Sequence, residues 1–377
     1  MAWREGLTVA GLRVIPVQSA REENLFLEFP YSHYKDLANW VPPLRIAQRD
    51  LLDTAKHPFY QHAQLQRFLA LSGGKVAGRV ATILDRDQFE AGQGFFGFFE
   101  CIDSQPVATS LLDGAREWLI RCGVKRIRGP VSPSTNYECG VLVDGFDSRP
   151  YVMMPYNPPF YSGLIEGAGF RQAKDLIAYG GPVAAVDGDK ARRIASRVLK
   201  SGSISIRPIR MKEFDSEADT IWNIYNSAWS RNWGFAPMTQ QEFKFLARDM
   251  KAIVDPGFAL IGEVSGRAVG FALALPDINR ALVHARGRLF PLGLLRILYY
   301  QRQIRSVRVL ALGVLEEFRT AGIAAAFYSA LIDHARSRRY EECEFSWVLE
   351  DNILMNRSIE ALGVRKYKTY RIYEWTE

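Results

Sequence analysis

One stretch of the chain, VRVLALGVLEEFRTAGIAAAFY at residues 307–328, constrains the fold more than any other. Val307, Val309 and residues 310–314 are apolar and β-prone, which is typical of a buried strand. Small residues follow Arg319, and the later positions keep the apolar spacing of a helix. A helix N-terminus with free backbone N–H groups binds anions, and Gly322 lets the backbone approach such a group closely. With the charge of Arg319 beside it, this turn is predicted to hold a pyrophosphate.

The spacing R-x-x-G-x-A at Arg319, Gly322 and Ala324, directly after an apolar strand, resembles motif A of the GNAT acyltransferase superfamily. The alternative is an ordinary strand-to-helix turn. The resemblance implies that the backbone amides of the turn hold the pyrophosphate of coenzyme A, so that acyl-CoA is the co-substrate. It also implies that the amide of Leu312 polarises the thioester carbonyl. The residues assigned in this way to cofactor binding are Leu312, Gly313, Val314, Arg319, Thr320, Ala321, Gly322, Ile323, Ala324 and Asn352.

Composition favours a protein of more than one domain with an anionic partner. The 377 residues are many for one core, and the net charge of +7 suits coenzyme A phosphates, a membrane surface or nucleic acid. The basic residues form no nucleic-acid motif, so a nucleic-acid partner is not expected. The cysteines and histidines form no ligand spacing, so no metal is expected. Without a signal-peptide layout or an apolar run of bilayer length, a cytoplasmic protein is expected.

The chain contains an internal repeat. RFLALSGGKVAGRVATILD at 67–85 aligns with GFALIGEVSGRAVGFALALPD at 257–277, and NPPFYSGLIEGAGF at 157–170 aligns with NILMNRSIEALGV at 352–364. Such self-similarity predicts two copies of one unit. The predicted fold is α/β, with two tandem GNAT-like acyl-CoA N-acyltransferase domains whose mixed central sheets are flanked by helices. The predicted limits are 1–182 for the first domain, 183–203 for a linker with a connecting helix, and 204–377 for the second.

The first copy departs from the motif. At the matching position it has DSQPVA, residues 103–108, with neither the arginine nor the glycine. Pro106 also removes one amide donor from the turn. We therefore expect the first copy to be degenerate and to have lost coenzyme A binding.

The catalytic residues are less clear from the sequence. Val348 and Asn352 fit a second GNAT element, but its usual tyrosine position, the general acid of the resemblance, is Ile359. Glu350, at the end of a predicted strand, is the first candidate for the base that accepts the amine proton, and Asp351 is the second. The alternative is that residues 350–352 only cap the following helix. Nearby replacements for the acid, besides Glu350 itself, are Tyr367 and Tyr370, and Tyr370 also fits a structural strand position.

An insertion at 277–305, DINRALVHARGRLFPLGLLRILYYQRQIR, stands where only a tight turn is needed. Its apolar residues are edged by arginines, as in interfacial helices. The alternative is a helix that caps the core or packs on the first domain. The functional hypothesis is a wall for acyl chains that also contacts the membrane surface. Its candidate acyl-chain residues are Leu289, Phe290, Leu294, Leu295 and Leu298.

The layout is similar to bacterial GNAT-type proteins that include bacterial ceramide synthases. This resemblance implies transfer of a long-chain fatty acyl group from acyl-CoA to a lipid amine such as a sphingoid base. Burying about fifteen methylenes is worth on the order of 12 kcal/mol, which favours a long acyl chain over acetyl. Two alternatives stay open: a small-molecule amine N-acetyltransferase and a non-catalytic acyl-CoA-binding module. The expected location is the cytoplasm, or the inner face of the cytoplasmic membrane as a peripheral protein.

Overall fold

The computed structural model describes residues 11–86, 92–200 and 202–377, and its internal contacts divide the chain into two units. The first unit contains the chain up to Leu176, Leu282–Ile297 and Lys368–Glu377, and the second contains Ile177–Ala281 and Leu298–Tyr367. The predicted domain limits stay a prediction from the sequence. The alternation of apolar and polar residues at 8–17 also predicts a first strand. Its start lies outside the described residues, and its described part forms a strand at Leu12–Pro16.

The first unit is built on a mixed sheet. Its strands run antiparallel from the first to the fourth, the fourth pairs in parallel with the fifth, and the fifth pairs antiparallel with the end of the chain. The strands are Leu12–Pro16 (β1), Ala63–Ser72 (β2), Lys75–Asp85 (β3), Gln93–Cys101 (β4), Arg126–Gly129 (β5), Val131–Ser132 (β6), Glu138–Cys139 (β7) and Val141–Asp144 (β8), with the start of Arg171–Pro182 (β9). The helices are Ala20–His33 (α1), Arg45–Leu52 (α2), Gln105–Arg121 (α3) and Tyr161–Gly167 (α4).

The core of the first unit lies between this sheet and α3. Leu111 of α3 packs in one cluster with Phe68, Phe96 and Ile127, all of them essentially inaccessible to water. The near-continuous apolar run of β4 follows from this burial, since a strand covered on both faces has no solvent side. Pro106 lies in the first turn of α3, where its missing N–H breaks no helical hydrogen bond.

The second unit has a sheet in the order β9-β14-β13-β12-β11-β10, in which β13 and β14 are parallel and β10 to β13 are antiparallel. The strands are Ile204–Pro208 (β10), Ala259–Val264 (β11), Arg267–Pro276 (β12), Ser306–Val314 (β13), Glu342–Leu349 (β14) and the start of Arg365–Thr376 (β15). The helices after β9 are Asp189–Leu199 (α5), Phe214–Ala228 (α6), Gln240–Lys251 (α7), Asn279–Ala285 (α8), Gly293–Gln301 (α9), Ile323–Ser337 (α10) and Ile353–Glu360 (α11).

Helix α10 forms the core of the second unit. Ile323, Phe327 and Leu331 are buried in one cluster with Phe258 and Phe345. Their spacing along α10 is the apolar stripe that the sequence predicts. This arrangement fixes the start of α10 at the end of β13, where the candidate turn lies.

The insertion contributes α8 and α9, and its middle part clusters with the first unit. The amide of Arg45 donates to the carbonyl of Gly287 at 3.0 Å, and the Arg45 guanidinium lies 3.7 Å from the ring centre of Tyr31. None of the helices in the described ranges is long and apolar enough to cross a membrane.

Candidate active site

The turn between β13 and α10 has the geometry of an anion site. Gly322 is the N-cap of α10 with φ of 79°, and no side chain caps this helix. The first amides of the helix therefore point out of its N-terminus, where anions are stabilised. A Cβ on Gly322 would lie 2.7 Å from Val198 and 3.1 Å from Ile194. Both the left-handed backbone and the close packing on α5 require glycine here. The uncapped amides at the start of α10 suit a negatively charged group such as a pyrophosphate.

Arg319 holds this turn against the neighbouring helix. Its Nη2 donates to the carbonyl of Ala228, the last residue of α6, at 2.7 Å. Its Nε lies 3.5 Å from the carbonyl oxygen of Val314. A cation is favoured at a helix C-terminus, so these contacts stabilise α6 and fix the turn together. Backbone carbonyls thus hold the Arg319 guanidinium, the cation that the sequence predicts beside the pyrophosphate, close to the turn.

The strands before the turn separate. Ala311 pairs with Leu273 and Val309 with Ala274, so Leu310 is an extra, bulged residue on β13. The parallel pairs between β13 and β14 run from Ser306–Glu342 to Val309–Phe345, and both strands continue beyond. Within the described chain, residues 310–314 have no registered partner on the β14 side. Leu312, Gly313 and Val314 therefore lie where β13 and β14 no longer pair, and the gap between the two strands leads to the turn.

A buried polar network lies where the gap begins. Arg308 is 2% exposed and Glu344 is fully buried, and the two are register partners in the last paired rows. Arg308 Nε donates to Ser346 Oγ at 2.8 Å and lies 3.6 Å from Glu344 Oε1. The hydroxyls of Ser346 and Tyr367 both donate to the Glu344 carboxylate. Charged residues are almost never fully buried unless paired.

Sequence reasoning did not identify this network as a unit, although Tyr367 was a candidate. A signal was present, because Arg308 and Glu344 are charged residues within strands that are mostly apolar. What was lacking is the register that makes them neighbours.

Asn352 is the N-cap of α11, and its side chain accepts a hydrogen bond from the amide of Met355 at 3.2 Å. Capping therefore involves Asn352, whereas Glu350 is an exposed residue just after β14. Ile359, at the usual tyrosine position, is buried with 2% exposure. A phenol in the same cluster as Ile359 is that of Tyr179, whose hydroxyl donates to Asn356 at 3.0 Å. Burial, and to a lesser extent the neighbouring carboxylate of Glu360, raises the pKa of Tyr179 to about 12.

Tyr370 lies in the first unit, whereas Glu350 lies in the second. Tyr370 is fully buried and pairs in register with Leu142 of β8. Its ring is therefore part of the packing of the first unit. Tyr367 lies in the second unit with the rest of the buried network.

The candidate acyl-chain residues lie on a largely exposed surface. Phe290 is 77% exposed, Leu295 62%, Leu298 50% and Leu294 42%, while Leu289 is half-buried. Gly293 and Ile297 form the buried side of α9. A cluster of large exposed apolar side chains marks an interaction surface rather than a core. The insertion thus both packs on the first unit and presents an apolar face to its surroundings.

In its described residues the first unit has the same strand order, but the corresponding space beside β4 is filled. Its parallel pairs between β4 and β5 end at Phe95–Arg128, and the next residues of the chain run alongside β4. A Cβ on Gly97 would lie 1.5 Å from the carbonyl oxygen of Val131, and the amide of Phe98 donates to Ser132 Oγ at 2.9 Å. Backbone and side-chain atoms of β6 therefore fill the space that is open in the second unit.

The turn after β4 is also covered. The amide of Cys101 donates to the hydroxyl of Tyr161 at 2.9 Å, and Gln105 donates to the carbonyl of Leu164 at 3.0 Å. Both partners belong to α4, which lies over the start of α3. Burial raises the pKa of Tyr161 well above its ordinary value, so this phenol stays protonated.

Comparisons with known proteins agree with this geometry. The model of the Acetyltransferase (GNAT) family matches residues 218–363. The chain belongs to the GNAT family, and it is an N-acyltransferase. It is 35% identical over 97% of its length to a protein of Caulobacter vibrioides (strain NA1000 / CB15N) named bacterial ceramide synthase, 98% of which is covered. It is also 34% identical over 93% of its length to Protein YghO of Escherichia coli (strain K12), 91% of which is covered.

Solved structures confirm the predicted fold. A tandem GNAT protein from the clavulanic acid biosynthesis pathway superposes with a TM-score of 0.57 over 97% of this chain and 98% of its own, at 12% identity. The predicted class, two tandem GNAT-like domains with mixed sheets, is therefore confirmed, as is the predicted family. The GNAT family uses acyl-CoA as co-substrate, and its acceptors are amines.

Proposed function

We propose that this protein transfers a long-chain fatty acyl group from acyl-CoA to the amine of a lipid such as a sphingoid base. The observation that carries the lipid assignment is the exposed apolar surface of the insertion, where Phe290 is 77% and Leu295 62% exposed. An enzyme for small polar amines has no use for such a surface. The name of the Caulobacter relative, which aligns over 97% of the chain, supports the same class of reaction.

The second unit supplies the proposed acyl-CoA site. The amides of Thr320, Gly322, Ile323 and Ala324 would bind the pyrophosphate, whereas the amide of Ala321 donates to the carbonyl of Phe318 at 3.1 Å within the turn. The gap beside Leu312 to Val314 would take the pantetheine arm. When bound, acyl-CoA supplies the activated acyl group. The amide of Leu312 would then polarise the thioester carbonyl, which a preorganised backbone donor does without reorganisation during the reaction.

Glu350 is the proposed proton acceptor. Glu350 is exposed directly after β14, and a water-accessible carboxylate there would take the proton of an incoming amine. Ile359 cannot serve as an acid. Tyr370 remains a sequence-based candidate whose position in the core of the first unit favours a structural role.

The first unit is proposed not to bind acyl-CoA. Two observations support this. The carbonyl of Val131 fills the space at Gly97 that a thioester would occupy, and the amide of Cys101 already donates to Tyr161. Its role would then be to present the insertion, whose middle part packs on it.

The proposed location is peripheral, on the inner face of the cytoplasmic membrane. Phe290 and Leu295 would enter the acyl boundary of the bilayer, while the exposed Arg288 and Arg296 would contact anionic headgroups. Such a position would give the enzyme access to a lipid amine without removing the whole acceptor from the membrane.

The test is an assay of thiol release from palmitoyl-CoA and acetyl-CoA with sphinganine as acceptor, with mass spectrometry of the product. We expect the palmitoyl thioester to be used at least about tenfold faster and an N-acyl lipid to form. Glu350→Gln should reduce turnover about 100-fold or more while long-chain acyl-CoA still binds. Asp351→Asn, which removes the neighbouring carboxylate instead, is the matched comparison. Equal use of both thioesters, or no thiol release with any long-chain amine, would contradict the proposal.

A further inference from the structure

Helix α5 lies directly beside the candidate pyrophosphate turn. A Cβ on Gly322, at the start of α10, would touch Val198 near the end of α5. A Cβ on Gly188, just before α5, would lie 3.3 Å from Ile332 near the end of α10. The two helices are therefore antiparallel, and the last turn of α5 lies beside the N-terminus of α10.

The side of α5 that does not pack on α10 is strongly basic. Its apolar side, with Ala191 and Ala195 buried, accounts for the packing on α10. Arg192 is paired with Asp189 at 2.8 Å and with Asp333 at 3.2 Å, so its charge is already compensated. The exposed side carries further cations and lines an open depression of 760 Å³. The residues of this depression are Asp189, Arg192, Arg193, Ser196, Arg197 and Lys200.

The spacing of these cations is unfavourable without an anion. Arg193 and Arg197 are four residues apart, and Arg197 and Lys200 are three apart, so each pair shares one helix face. Like charges at these spacings destabilise a helix by roughly 0.2–0.5 kcal/mol per pair. A bound anion with more than one negative charge would remove this repulsion and gain charge-assisted hydrogen bonds.

We propose that Arg197 and Lys200 bind the 3′-phosphate on the ribose of coenzyme A, with Arg193 adding to the local potential. The inference rests on the proposed function, because it requires the pyrophosphate to lie on the adjacent amides. Coenzyme A carries this further phosphate monoester, which is close to doubly charged at neutral pH. The connecting helix thus supplies a second anchor for the cofactor that motif A does not contain.

The experiment is isothermal titration calorimetry with coenzyme A and with 3′-dephospho-coenzyme A. The wild-type protein should bind coenzyme A about tenfold more tightly, a difference of about 1.4 kcal/mol. The variant Arg197→Gln with Lys200→Gln should lose about this factor for coenzyme A and bind the dephospho form as the wild type does. The difference should also shrink as salt is raised, because both cations are exposed.

The control removes the same charge elsewhere. Lys190→Gln with Lys366→Gln changes two exposed lysines away from the last turn of α5, and it should keep the preference for coenzyme A. Equal affinity of the wild type for both ligands, or an equal loss for both in the double variant, overturns the proposal while acyl-CoA use stands. Failure of both ligands to bind overturns the proposed acyl-CoA site as well.

Discussion

Replacing Gly322 with alanine should both destabilise the second unit and weaken coenzyme A binding. The residue has φ of 79°, which costs a non-glycine residue roughly 1–2 kcal/mol. Its new methyl group would also stand 2.7 Å from Val198, closer than packed atoms allow. Overpacking of this kind costs about 1–3 kcal/mol, so we expect a total loss of about 2–5 kcal/mol in the free energy of unfolding.

Gly266 provides a matched control in the same unit. It has nearly the same φ, 81°, but no atom lies within 4 Å of the position of its Cβ. Gly266→Ala should therefore lose only the backbone contribution, roughly 1–2 kcal/mol. The difference between the two variants isolates the contact between the turn and α5.

Urea denaturation gives the two free energies, and calorimetric titration gives coenzyme A affinity. Gly322→Ala should bind coenzyme A about tenfold more weakly, a loss of about 1.4 kcal/mol, because the turn must shift away from Val198. Gly266→Ala should bind it as the wild type does. Equal unfolding free energies for the two variants would show that α5 relaxes without cost, and unchanged affinity in Gly322→Ala would refute the assignment of the turn.

Three further predictions address the remaining features. Leu295→Glu on the exposed surface should change the free energy of unfolding by less than about 0.5 kcal/mol. It should reduce co-flotation of the protein with anionic lipid vesicles, and unchanged flotation would contradict the membrane proposal. Arg308→Met should cost about 3–5 kcal/mol in urea denaturation because Glu344 keeps a buried charge, and the double variant with Glu344→Gln should recover part of this loss. Burial lowers the pKa of His57 to about 4. Between pH 7 and 4 the unfolded chain therefore binds a proton that the folded chain does not. The free energy of unfolding should fall by about 3 kcal/mol over this range. His57→Asn keeps an acceptor for the amide of Phe59 and should lack this part of the pH dependence, and an identical pH profile would show that His57 does not titrate in this way.

The local features of the fold were predictable from the sequence. The apolar strand before Arg319, the small residues around Gly322 and the helical stripe that includes Phe327 are all encoded within a few residues of one another. Each of these features reflects either the backbone preference of a few residues or the periodic spacing of apolar side chains. The repeat likewise predicted two related sheets, and the tandem GNAT structure confirms that fold.

The candidate site was only partly predictable. The motif indicated which amides would meet a pyrophosphate, but Arg308 and Glu344 became neighbours only through the register of β13 and β14. Conversely, Glu350 and Tyr370 stood together as candidates in the sequence, and the structure places them in different units.

The sequence by itself therefore determined the strand, turn and helix around Gly322, the family and the tandem plan. These depend on interactions between residues close in the chain, which the order of side chains specifies directly. Only the tertiary structure decided that β13 and β14 part beside Leu312 while β6 fills the space at Gly97, and that α5 packs on Gly322 through Val198. Those features depend on strand register and helix packing between distant segments, where a single residue of offset changes which groups meet.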